Sequence, residues 1–149
     1  MRMRRRLAQL SDLQRLQRVE RDLAAFDHAE ACAEAQAART KADRTAEGAA
    51  TLAAHWYAGR AVHHFEPVLD AAIAAGLIAA ERTASEDAAA ATTAETAREA
   101  SADAWRLTDA RQRATARIVC DTRRAIGRAD DEARLDLAAS RTLDRWRRA

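Results

Sequence analysis

Six aromatic residues, four glycines, one proline and two cysteines are all that this 149-residue chain holds of the residues that fill cores, punctuate folds or staple them. Each scarcity excludes something. Although 48% of the residues are hydrophobic, only 4% are aromatic, so there is little bulk for a globular core. Proline and glycine are the strongest helix breakers and alanine the best helix former, so a chain with so few breaks favours long helices. Cys32 and Cys120 are too few for a disulfide framework and fit a reducing cytosol. No run of 18 apolar residues occurs, which argues against a membrane-spanning helix. The basic opening from Met1 to Arg6 is followed by Gln9, Ser11, Asp12, Gln14 and Arg15 rather than by an apolar stretch, unlike a secretory leader.

Chemistry-bearing patterns are missing as well. No glycine-rich phosphate loop, nucleophile elbow or carboxylate pair is visible. The histidines are His28, His55, His63 and His64, and no cysteine or acidic residue completes a metal set around them. The expectation is a non-enzymatic protein with no catalytic residue, cofactor, metal or small-molecule substrate.

What is present is helical periodicity. Leu7, Leu10, Leu13, Leu16, Val19, Leu23 and Phe26 recur at steps of three or four, followed by Ala33 and Ala37. Towards the other end Leu107, Ala110, Ala114, Ile118, Ala125, Ala129, Ala133 and Leu137 form a second stripe. The expected fold is all-α: two long helices in an antiparallel coiled-coil hairpin, a single domain over residues 1–149.

Two turn placements fit the middle of the chain. Pro67 can open a second helix, where its missing N–H costs nothing. Alternatively, Gly76 can cap the first arm, with Leu77 and Ile78 as the hydrophobic contact and Thr83 and Glu86 as a capping box. The second is favoured because it sets large residues against small or medium ones. Phe26 would then face Ile126 beside Gly127, Leu23 would face Ala129, Val19 would face Ala133, and Cys32 would lie level with Cys120. This predicts a first arm over about 3–74, a turn near 75–84 and a second arm over about 85–147, with Pro67 kinking the first.

Charge is uneven along this frame. Residues 1–21 carry seven arginines against two acids, net +5, and residues 141–149 carry +3. The body is therefore acidic, and a hairpin of this kind would gather both basic ends at one tip. Arginines in the first turn oppose the helix dipole, so Arg2, Arg4, Arg5 and Arg6 read as a surface for a partner or as a solubilising tail, while Arg145, Arg147 and Arg148 belong to the other basic end. Trp56, Tyr57 and Phe65 cluster near the middle and read either as core filling at a bend or as an exposed recognition patch.

Several of these residues resemble the coiled-coil stalk proteins of type III secretion, the YscO group and its flagellar relatives, the FliJ group. The likeness to the first lies in the arginine-rich start, Arg18-Val19-Glu20-Arg21, Ala31-Cys32-Ala33, and Trp56 nine residues before Phe65. The second is resembled by Phe65-x-x-x-Leu69-x-x-Ala72-Ile73, by Trp105 and by Glu132-x-Arg134-Leu135-Asp136. The resemblance implies a hairpin like the gamma stalk of rotary ATPases, seated in a hexameric secretion ATPase and touching the export gate at the inner-membrane face of the cytoplasm. Some members escort secretion chaperones. It further implies ATPase contacts at Arg2, Arg4, Arg5, Arg6, Arg145, Arg147 and Arg148, and gate contacts at Trp56, Phe65, Leu69, Ala72 and Ile73. It does not distinguish an injectisome from a flagellum. A scaffold or peripheral-membrane coiled coil is the alternative, given the basic, amphipathic first ten residues. Nucleic-acid binding is disfavoured because no recognition motif accompanies the arginines.

Overall fold

A computed structural model of the chain describes residues 2–60 and 66–148. They form two helices packed against each other as an all-α hairpin. Helix α1 spans Arg2–Arg60 (59 residues) and α2 spans Pro67–Arg148 (82 residues). Pro67 is the first helical residue of α2, its fixed φ suiting that position. The first backbone bond of the helix runs from Asp70 N–H to the Glu66 carbonyl at 2.9 Å. Asp70 in this turn and Arg60 in the last turn of α1 each complement the helix dipole.

Residues 75–84, where the turn was expected, are helical throughout, and Gly76 lies inside α2 with no positive φ. The break lies between Arg60 and Pro67, so the arms run 2–60 and 67–148 rather than 3–74 and 85–147. The physical reason is the ranking of breakers. A helix-interior glycine costs only about 1 kcal/mol relative to alanine, whereas proline both lacks a donor and disfavours α geometry in the residue before it.

This moves the register. Cross-helix partners have numbers summing to between 128 and 134 (Lys41–Asp87, His28–Ser101, Arg4–Asp130) rather than to about 152. The packed faces are strict heptads. In α1 the buried and half-buried positions recur every seven residues at Leu7, Gln14, Arg21, His28, Ala35, Ala42, Ala49 and Trp56. The companion row is Leu10, Gln17, Ala24, Ala31, Ala38 and Thr45. In α2 the same role falls to Leu77, Ala84, Ala91, Arg98, Trp105, Gln112, Val119 and Ile126, accompanied by Ala80, Asp87, Ala94, Ser101, Thr108, Thr115 and Thr122. These are the inward positions of a coiled coil, filled here largely with small and polar side chains. The leucine stripe of α1 therefore does not form the seam: Leu16, Val19, Leu23 and Phe26 take outward positions and are 61 to 67% exposed. Gly127 makes no room for a ring, since nothing lies within 4 Å of a Cβ built there.

The chain divides into two compact units. The first comprises residues 1–24 and 105–149. Its one buried hydrophobic residue among the described residues is Val119, with Thr115 buried nearby in sequence. Arg4 grips Asp130 through both carboxylate oxygens at 2.9 and 3.0 Å. Past that pair α2 continues to Arg148, and residues 131–147 are all exposed.

The second unit comprises residues 25–104. It buries Ala35, Ala49, Leu77 and Ala102, a narrow seam in which alanine lets backbones approach closely. Ser101 donates its hydroxyl to the Arg98 carbonyl at 2.8 Å, which leaves its oxygen to accept from His28 Nδ1–H at 3.1 Å. Cys32 sits against the same histidine, beside Arg98. The expected facing of Cys32 and Cys120 is thus replaced: Arg98, 22 positions earlier in α2, stands next to Cys32. Mild oxidation of the full chain should therefore yield no intramolecular disulfide, because bridging needs Cα atoms within about 7 Å. Non-reducing electrophoresis with thiol counting checks this, and a fast-migrating crosslinked monomer would contradict the register.

Candidate functional site

The basic end is built from two helical segments of the first unit. Arg2, Arg4, Arg5 and Arg6 are exposed in the first turns of α1. Arg4 is committed to Asp130, while Arg2, Arg5 and Arg6 have no ion pair among those found for the described residues. Arg145 and Arg147 are exposed near the end of α2. The arginine clusters do not meet at one tip: Arg145 lies 15 residues beyond Asp130, roughly 22 Å along the helix. The basic surface is two patches, one at the mouth of the hairpin and one carried forward on a single helix. The side chain of Arg148 lies outside the described residues.

The aromatic cluster lies in the second unit. Trp56 is half-buried on the heptad face, and Tyr57 is turned outward with its ring 5.2 Å from that of Trp56 at 44°. The Arg60 guanidinium lies 5.2 Å over the Trp56 ring, a cation–π contact. The indole Nε1 is buried without a hydrogen-bond acceptor. Trp56 is therefore part of the packed seam more than an open patch. Of the other residues expected at this surface, Leu69 and Ala72 are exposed, Ile73 is half-buried, and Phe65 lies outside the described residues, as do His63 and His64.

Among the described residues no group of three or more histidine, cysteine or acidic side chains converges as a metal site. No described helix is long and apolar enough to cross a membrane. Among the ion pairs found for the described residues, the interhelical one with a buried member is Lys41–Asp87 at 2.9 Å, Asp87 having a side chain only 10% exposed. The hydrogen bond and charge of Asp87 hold the Lys41 ammonium above its ordinary range. Comparison of the chain with family models, with characterised proteins and with solved structures gives no match.

What the residue pattern did not reveal is that the outward stripe of α1 is free. The available signal was the seven-residue row Leu7, Gln14, Arg21, His28, Ala35, Ala42, Ala49 and Trp56, which is more regular than the leucine stripe but mixed in polarity.

Proposed function

We propose that this chain is a non-enzymatic stalk of a type III export apparatus, engaging a hexameric secretion ATPase through its basic end and linking it to the export gate, with chaperone escort as an associated role. The observation that best supports this reading is the two-helix hairpin whose longer arm projects alone and carries Arg145 and Arg147, beside the exposed Arg2, Arg5 and Arg6. A single helix extending beyond its partner suits entry into a narrow axial pore. Arginines along it and at its base suit acidic loops lining such a pore, where charge complementarity sets association rate and register. The proposed setting is the cytoplasmic face of the inner membrane.

The deciding experiment is ATP hydrolysis by the cognate ATPase with and without this protein, together with the hexamer fraction. A rise in both that saturates at one chain per hexamer is expected; no change in either would remove the reading. Replacing Arg2, Arg5 and Arg6 with glutamate should weaken ATPase binding about ten- to a hundredfold at low salt, with helicity unchanged. Binding titrations at two salt concentrations check this, and equal affinity for the variant and the unaltered protein would defeat the electrostatic part. Arg4→Glu is a poorer probe, because it also breaks the Asp130 pair.

A further inference from the structure

The first unit leaves more large apolar surface outside than it encloses. Val119, 2% exposed, is its sole buried hydrophobic residue among the described residues. Leu13, Leu16, Val19 and Leu23 on the outer side of α1 are 43 to 67% exposed. On the free end of α2, Leu135, Leu143 and Trp146 are 61 to 79% exposed. Neither set is covered within one copy. The α1 stripe lies outside the seven-residue rows that pack against α2, and residues 131–147 of α2 are all exposed.

The two sets match each other. Leu13 to Leu23 covers ten residue steps and Leu135 to Trp146 eleven, about 15 and 16 Å of helix. Leu135, Ala139, Leu143 and Trp146 recur at steps of four, four and three, the spacing of a helix edge seeking a partner. A bare helix of 15 to 17 residues is marginal in water without tertiary packing. Each copy holds one stripe and one free end, so a reciprocal exchange between two copies uses both and leaves neither over. This is the closed, isologous arrangement that soluble dimers favour.

We infer that a second copy of this chain covers the outer face of α1: residues 134–148 of each copy lie along Leu13, Leu16, Val19 and Leu23 of the other, parallel to its α1. Seven large apolar side chains from each copy leave water. With their polar neighbours they make an interface on the order of 1,200 Å², the lower bound of the standard class. This contact describes the free chain and does not rest on the secretion reading; insertion of the α2 end into a pore would require the partner copy to leave.

Sedimentation equilibrium of the full chain tests it. The unaltered protein should run as a dimer of the 16.3 kDa chain at about 10 μM. Leu16→Glu with Leu23→Glu, and separately Leu143→Glu with Trp146→Glu, should each raise the dissociation constant about a hundredfold or more. All four positions are solvent-exposed in one copy, so helicity by circular dichroism should be unchanged. If the glutamates do lower helicity, glutamine at the same sites gives the same comparison. Mixing the two double variants should restore association through the single remaining contact, more weakly than in the unaltered dimer. A monomer at all concentrations, or a dimer untouched by either double variant, overturns the inference.

Discussion

Gly76→Pro is expected to lower the stability of the hairpin by about 2–3 kcal/mol, and Gly76→Ala to raise it by roughly 0.5–1 kcal/mol. Gly76 sits ten residues into α2, with no positive φ and with nothing within 4 Å of a Cβ added to it. Alanine there gains helix propensity without a clash. Proline removes an intrahelical bond and drives its ring against the preceding turn. Thermal unfolding of both variants beside the parent measures the effect. The sign of the alanine change is the sharper readout: a glycine needed as a left-handed cap would lose stability on gaining a Cβ. A destabilised alanine variant would therefore restore the turn near residues 75–84.

Asp87→Leu is expected to stabilise the protein by about 1–3 kcal/mol, because it removes a buried carboxylate oxygen left without a hydrogen-bond partner, while the Lys41 ammonium, on a largely exposed side chain, keeps its water. Asp87 occupies an inward heptad position, its Oδ1 is held by Lys41 at 2.9 Å, and its Oδ2 is buried without a partner. Leucine removes the unsatisfied oxygen and sets an apolar side chain at an inward position of the seam. Lys41→Ala should act the other way, leaving the carboxylate uncompensated. The pH dependence follows from the raised Lys41 value. A cation whose folded value lies above its unfolded one contributes stability fully below the ordinary lysine range, and that contribution is lost as pH rises through the raised value. The parent should thus lose stability in alkali by a component that Asp87→Leu lacks. Chemical denaturation at neutral and alkaline pH measures both; a leucine variant less stable than the parent at neutral pH would show that the pair is net favourable.

Much of this architecture was legible from composition, and the part that was not has a definite cause. Two long helices follow from abundant alanine and scarce breakers, and antiparallel pairing follows from a central interruption. The register did not follow. Large residues suggest a seam, and that reading turns Leu23 and Phe26 inward against Ala129 and Ile126. In the fold the seam belongs to Ala35, Ala42, Ala49, Ala84 and Ala91, with Gln14, Gln17 and Thr115 among them. When alanine sits on every face, size and polarity no longer distinguish inside from outside, and only the exactness of a seven-residue spacing does. Pro67 and Gly76 were weighed as rival breakers, and the rigid ring outranks the missing side chain. The basic residues were located correctly in the chain. Their separation along α2 depended on the register and was out of reach without it.

The span of the Arg4–Asp130 pair also has a temporal consequence. Its partners are 126 residues apart in the chain, whereas Lys41 and Asp87 are separated by 46. Loop-closure entropy grows with the length enclosed, and contacts of low sequence separation form earlier. The hairpin should therefore zip from the end where α1 stops at Arg60 and α2 starts at Pro67, with the mouth holding Arg2 to Arg6 closing last. Its last rung is an exposed ion pair of the kind that contributes little, so the two arms can part at that end, like the prongs of a fork, while the alanine seam stays shut.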